Sequence, residues 1–297
     1  MNVVFNEEVL EPLPEIEKLR GCTFVIKYGG SIVNDENARN NFFKDIALLK
    51  MHGINIIIVH GGGPIISKWL NIAGIECKFV NGLRVTDEKV MEIVQMVLAG
   101  QVNKDLALSL NLMGVNSIGL CGIDDRLIEA KKKYVIENGE KIDIGYVGEV
   151  TNINERMLLS ILKNGQVPVI SPIGFDIDGN KYNINADYVA SYISSSINAD
   201  KLIILTDVEG VYKDINNKES LIPYLSLDKI ETYINEGVIC GGMIPKMECC
   251  ADAIKNGTKK VHLIYGKNEH CLINDIFNNK GTVIEEREYD DKCQKVI

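Results

Sequence analysis

Ile54-Asn55-Ile56-Ile57-Ile58-Val59-His60-Gly61-Gly62-Gly63-Pro64 joins an apolar, β-branched run to three glycines and a proline. A Val/Ile run of this length without strict alternation suits a strand buried on both faces. Proline has the locked φ of a first helical residue, so Pro64 predicts a helix start. The stretch reads as buried strand, glycine turn and helix N-terminus. Glycines allow close approach of a ligand to the backbone, and helix N-termini present several N–H groups to an anion. Gly61, Gly62 and Gly63 are therefore candidates to cradle negative charge.

Working outward, a second such turn, Lys27-Tyr28-Gly29-Gly30-Ser31, follows the apolar run Cys22 to Ile26. Residues 7–20 read as a helix interrupted at Pro12 and Pro14, with Gly21 as its stop. Asn34 or Asp35 caps a helix that carries Phe42, Phe43, Ile46 and Leu49, and Gly53 closes it. After the loop Asn81 to Asp87, a long helix is expected over 88–113, then a strand over 115–120. Asn138-Gly139 turns a hairpin arm within 127–150. A helix over 155–162 and a strand over 167–173 follow, and Asp178-Gly179 turns a second hairpin. After Asp187 come a helix, a strand over 201–207, a helix over 227–235, a helix opened by Gly241 to Lys246, and a strand over 261–264. Alternating strands and helices predict a parallel sheet covered on both faces.

The totals agree with a globular chain. It has 297 residues, 46% hydrophobic and 25% charged, with a net charge of −9. That balance carries no nucleic-acid footprint, so an anionic ligand must be met by local positive charge. No apolar run reaches membrane-spanning length, and the N-terminus lacks the pattern of a secretory signal, which predicts a cytoplasmic protein. Eight cysteines are scattered without a C-x-x-C pair or histidines at metal spacing, so neither a structural disulfide nor a metal site is expected.

Lys246 follows Pro245, which reads as a first helical residue, so a cation sits in a first helical turn. That placement is unfavourable by about 0.3–1 kcal/mol unless an anion lies between them. Lys27 stands at a strand end, one residue before Gly29-Gly30. Two lysines beside glycine turns suit phosphoryl transfer, which needs positioning and charge neutralisation more than covalent chemistry. The chain has no G-x-x-x-x-G-K-[ST] and no protein-kinase signature. His60-Gly61-Gly62-Gly63 is similar to a lipase oxyanion loop, but no G-x-S-x-G elbow accompanies it.

Six segments occur in the order found in the amino acid kinase family: 27–31, 60–64, 81–87, 182–187, 205–207 and 241–246. The resemblance runs from about Thr23 to Val283. Asn81-Gly82-Leu83-Arg84-Val85-Thr86 together with Ala99-Gly100-Gln101-Val102-Asn103-Lys104 resembles the branch that phosphorylates the γ-carboxylate of N-acetyl-L-glutamate with ATP in arginine biosynthesis. The family implies a three-layer αβα sandwich with a mainly parallel central sheet, as two lobes sharing that sheet. The expected division is an oligomerisation helix in 1–21, an acetylglutamate-binding and dimerisation lobe in 22–195, and an ATP-binding lobe in 196–297. The resemblance also implies residue roles. Lys27 and Lys246 stabilise the transferring phosphoryl group, and Asp187 orients them. Gly62, Gly63, Arg84 and Asn183 bind acetylglutamate. Gly29, Gly30, Asp207 and Tyr212 lie on the nucleotide, which carries Mg²⁺.

Two competing readings accompany this one: a kinase of the same fold acting on N-acetylaminoadipate, and a non-catalytic nucleotide or arginine sensor. The N-terminal stretch resembles the helix that interlaces dimers into hexamers in arginine-inhibited members. The C-terminal segment departs from those members. Asp275 stands where they have Glu, and Asn278-Asn279-Lys280-Gly281 lacks an insertion. A homodimer, a trimer of dimers and an arginine effector are the expected partners.

Overall fold

The computed structural model describes residues 13–29, 32, 35–137, 139–278 and 280–286. Strands run in chain order as β1 (Thr23–Tyr28), β2 (Asn55–His60), the ribbon β3 (Phe79–Val80) and β4 (Leu83–Arg84), and β5 (Ser117–Cys121). They continue as β6 (Ile128–Glu137), β7 (Glu140–Ile153), β8 (Val167–Ser171), β9 (Ile173–Phe175), β10 (Lys181–Asn183) and β11 (Lys201–Thr206). The last three are β12 (Tyr224–Ser226), β13 (Lys260–Tyr265) and β14 (Thr282–Glu285). One sheet of eight strands, ordered β12-β14-β13-β11-β1-β2-β8-β5, forms the centre. Neighbours in it are parallel except the β13–β14 pair.

Helices are α1 (Leu13–Lys18), α2 (Glu36–Met51), α3 (Gly63–Ile72), α4 (Glu88–Gln95), α5 (Asn103–Leu112), α6 (Glu155–Lys163), α7 (Ala186–Ser196), α8 (Leu227–Asn235), α9 (Met243–Lys255) and α10 (Cys271–Asn278). The pleat of the sheet divides the core into two layers. Phe24, Ile26, Ile56 and Ile58 pack with Phe42, Ile46 and Leu49 of α2 and Leu70 of α3. The alternate residues Val25, Ile57, Val59, Leu202 and Ile204 pack with Val189 and Ile193 of α7 and Met247 and Cys250 of α9. Both faces are thus apolar, which is why these strands read as continuous hydrophobic runs. Each fully buried Ile or Leu contributes about 1.5–3 kcal/mol.

Side chains mark the helix starts. Asp35 accepts from the Ala38 N–H, Asp87 from Val90 and Asn154 from Met157. Such caps are worth about 1 kcal/mol each. Two expected helix starts move. Pro64 is the second residue of α3 and Pro245 the third of α9, because Gly63 and Met243 open those helices. Either position tolerates proline, since first-turn amides have no carbonyl one turn back. The long helix expected over 88–113 is present but passes through a π-helical segment, Met96–Val102, between α4 and α5. The strand expected over 167–173 divides at Pro172 into β8 and β9. Gly139 turns the β6–β7 hairpin with φ +83°. That hairpin joins β9 and β10 in a small closed four-stranded barrel, which the sequence patterning did not suggest. Residues 1–12, Gly30, Ser31, Asn34 and Asn138 lie outside the described residues. Of the N-terminal helix, α1 is seen, and its Ile16 is buried in the first core layer.

Candidate active site

Because β1, β2, β8 and β11 are parallel neighbours, their carboxyl ends meet on one edge of the sheet. Ligands of open α/β sheets bind at such an edge. β1 ends at Lys27-Tyr28, β2 at His60 before the glycines, β8 before Pro172, and β11 at Thr206 before Asp207.

The centre of the site is Asp187, in the first turn of α7. Asn185 is the N-cap of that helix and accepts from the Asp187 N–H at 2.8 Å. Its carboxylate is left to bind two cations. Lys27 Nζ lies 2.9 Å from Oδ1 and Lys246 Nζ donates to Oδ2 at 2.7 Å. The three side chains are 12–16% exposed. Burial pushes the Asp187 carboxyl up, but the two ammonium groups outweigh it and hold the pKa at about 2. Burial likewise works against the Lys246 charge, and the Asp187 carboxylate reverses it, so the Lys246 pKa is raised. Lys246 therefore stays charged, and the two lysines sit on opposite oxygens of one carboxylate.

Two cavities meet at this triad. The first, about 340 Å³, is lined by Lys27, the Gly61–Gly63 turn, Arg84, Asn183 and Asp187 among others. Gly62 and Gly63 open α3, so their N–H groups have no helical acceptor and the helix dipole adds to their pull on an anion. A Cβ on Gly62 would stand 2.5 Å from Leu98 Cδ2 of the π-helical segment, so the turn is pressed against that segment.

Arg84 ends β4 and is buried, 7% exposed. Its guanidinium stacks 4.8 Å from the Phe79 ring centroid and donates to Gly63 O at 3.1 Å, to Ser67 Oγ at 2.9 Å and to Cys77 Sγ. Thr86 ties this loop to the rest. Its hydroxyl donates to Arg84 O and accepts from Asn183 Nδ2 at 3.3 Å, while its backbone bonds Ile144 and Tyr146 of β7.

The second cavity, about 610 Å³, is lined by Thr206, Asp207, Tyr212, Gly242, Met243 and Lys246 among others. The Tyr212 hydroxyl donates to Glu209 Oε2. Gly29 follows β1 and lines neither cavity; a Cβ there would meet Leu205 O at 2.6 Å and Lys27 Nζ at 3.1 Å. Gly30 falls outside the described residues. The structure thus gathers Lys27, Lys246, Asp187, Gly62, Gly63, Arg84 and Asn183 around one cleft, with Asp207 and Tyr212 in the adjoining one.

Residue-type reasoning passed over His60, Asn103, Thr86 and Asn185 as individual groups. The signal available for His60 was a polar residue closing the apolar run Ile56 to Val59, and Asn103 carried no comparable one. His60 is wholly buried, and burial is the main cause that lowers its pKa to about 4. The sign of the resulting pH dependence follows from linkage. The folded value lies below the unfolded value of about 6.5, so the unfolded chain takes up the proton first. Stability is therefore expected to fall as pH drops from about 6.5 to about 4, by on the order of 2–3 kcal/mol from this group. Urea midpoints across that window should decline more steeply for the wild type than for His60→Asn; equal slopes would contradict the assignment.

Residues 23–265 match the amino acid kinase family, and the chain belongs to that family. An acetylglutamate kinase from Clostridium acetobutylicum is 58% identical over 98% of this chain and 99% of its own length. The acetylglutamate kinase of Caldicellulosiruptor saccharolyticus is 50% identical over 92% of this chain and 93% of its own. Among solved structures, N-acetylglutamate synthase from Neisseria gonorrhoeae superposes with a TM-score of 0.82 at 24% identity and shares the fold. The match covers 97% of this chain, which spans 65% of the length of that structure.

Proposed function

We propose that the protein transfers the γ-phosphoryl group of ATP, carried as its magnesium complex, to the γ-carboxylate of N-acetyl-L-glutamate. The observation that carries this reading is the Asp187 bridge: one carboxylate holds two ammonium groups where a small cavity meets a larger cleft. The acceptor occupies the first cavity and the nucleotide the second. An acceptor carboxylate is ionised at neutral pH, so no general base is needed. Its oxygen attacks the γ-phosphorus in line, the bond to the β,γ-bridging oxygen breaks, and ADP leaves. The obstacle is repulsion between the carboxylate and the phosphates. Lys27 and Lys246 offset it from two sides, and the Gly62 and Gly63 amides hold the attacking carboxylate. Arg84 binds the α-carboxylate and Asn183 the remaining polar groups. Asp207 and Tyr212 flank the nucleotide. In this reading 22–195 supplies the acceptor site and 196–297 the nucleotide site.

Trapping the acyl phosphate with hydroxylamine tests the reaction. ATP-dependent hydroxamate from N-acetyl-L-glutamate is expected, faster than from N-acetylaminoadipate. No hydroxamate, or the reverse preference, overturns the assignment. Arg84→Lys should raise the acceptor KM by roughly 10- to 100-fold with a smaller change in kcat, because an ammonium cannot reproduce the stacked planar fork. An unchanged KM would remove Arg84 from acceptor binding.

The family reading also includes a homodimer. Trp69, Ile72, Met96, Leu108 and Leu112 leave large apolar side chains exposed on α3 and the π–α5 helix, a face that a second copy would cover. The N-terminal helix expected in 1–21 would then link dimers into a hexamer. Removing residues 1–20 should leave an active dimer by light scattering, and an unchanged mass would exclude that role. Among the described residues no helix is long and apolar enough to cross a membrane.

A further inference from the structure

We propose that His60 and Asn103 form a positioning pair that fixes the Gly61–Gly62 peptide with its N–H aimed into the acceptor cavity. The inference rests on the acceptor site described above. His60 Nδ1 lies 2.9 Å from Gly61 O, and His60 Nε2 lies 3.2 Å from Asn103 Nδ2. The orientation of Asn103 is set independently, because the same Nδ2 donates to Leu120 O at 3.1 Å and Val169 O at 2.8 Å. An amide facing two carbonyls must present its NH₂, whose two hydrogens are then shared with His60 Nε2 as a third acceptor, so Nε2 carries no proton. Nδ1 therefore carries the ring proton and donates to Gly61 O. Protonating Nε2 would set donor against donor, and burial already keeps the ring neutral.

The consequence lies on the other side of one peptide plane. In a trans peptide the carbonyl and the following N–H point in opposite directions. No described peptide is cis. Pulling Gly61 O toward the buried imidazole turns the Gly62 N–H the other way, toward the cavity that Gly61, Gly62 and Gly63 line. Without the ring, a glycine–glycine peptide has little to stop it rotating. Asn103 is the first residue of α5, directly after the π-helical segment whose Leu98 abuts Gly62. Asn103 also reaches β5 and β8 through Leu120 and Val169, so the donor geometry is referred back to the central sheet. His60 touches no reacting atom in this account and acts through the amide.

Two substitutions separate this role from simple packing. Asn places its amide nitrogen near the former Nδ1, whereas Gln places it near the former Nε2. His60→Gln should lower kcat/KM for N-acetyl-L-glutamate by roughly 10- to 100-fold, with the KM for ATP little changed. His60→Asn should restore most of that loss. Should His60→Gln fail to fold, Asn103→Ala, which frees the tautomer, carries the same acceptor-specific expectation. Equal activity of the Gln and Asn variants, or an equal effect on both substrates, overturns the positioning role. Wild-type turnover, measured first, separates the two claims: its absence removes the acceptor reading and this inference with it, whereas wild-type turnover with an unsplit variant series removes this inference alone.

Discussion

Lys246→Ala is expected to lower kcat by roughly 10²- to 10³-fold while changing either KM only a few-fold. The reason is where the charge acts. In the ground state the ammonium is already held by Asp187 at 2.7 Å, so it adds little to substrate binding. As the γ-phosphoryl group leaves ADP and meets the carboxylate, negative charge concentrates between the two cavities, and an ammonium waiting there needs no reorganisation. Steady-state kinetics on both substrates checks this. A large rise in the ATP KM with kcat preserved would make Lys246 a nucleotide anchor and remove it from the chemical step.

The second large effect falls on Asp187. Asp187→Asn leaves two largely buried ammonium groups facing one another across a neutral amide. Removing one partner of a buried ion pair costs about 3–5 kcal/mol. The lysines can relieve the strain only by moving apart or by losing a proton, and either change removes charge from the reaction centre. Unfolding midpoints in urea should drop accordingly, and kcat should fall at least about 10²-fold. A Glu at this position restores the charge, and partial recovery of kcat is expected from it. The lowered carboxyl pKa, about 2, sets the pH window. The stabilisation is present above the unfolded value of about 3.9 and is lost as pH falls toward about 2. Full activity in Asp187→Asn would mean that the lysines are positioned by something else.

The sheet was legible because its strands are buried on both faces. Ile56, Ile57, Ile58 and Val59 have nowhere polar to point, so the run cannot alternate. The glycine turns were legible for a related reason, since Gly62 has no room for a Cβ against Leu98. Three things were not legible. The π-helical segment differs from an α-helix by one residue in each hydrogen-bonded loop, which leaves no periodicity signal over seven residues. The four-stranded barrel depends on β9 and β10 closing against β6 and β7, a long-range pairing that two hairpin turns do not announce. The helix starts at Gly63 and Met243 were displaced because proline is accepted anywhere in a first turn. In the site, the charged side chains stood out by residue type and spacing. The neutral hydrogen-bonded groups His60, Asn103 and Thr86 did not, because each also needs a partner 17 to 97 positions away.

The central claim is that Lys27 and Lys246, held on the two oxygens of Asp187, face one point from both cavities. The most direct measurement is a crystal structure of the protein with N-acetyl-L-glutamate and a non-hydrolysable ATP analogue. The account predicts the acceptor γ-carboxylate on the Gly62 and Gly63 amides, the γ-phosphate of the analogue in line with it, and both lysine ammonium groups within hydrogen-bonding reach of the phosphate oxygens. An acceptor bound away from the glycine turn, or a γ-phosphate touching neither lysine, would contradict it.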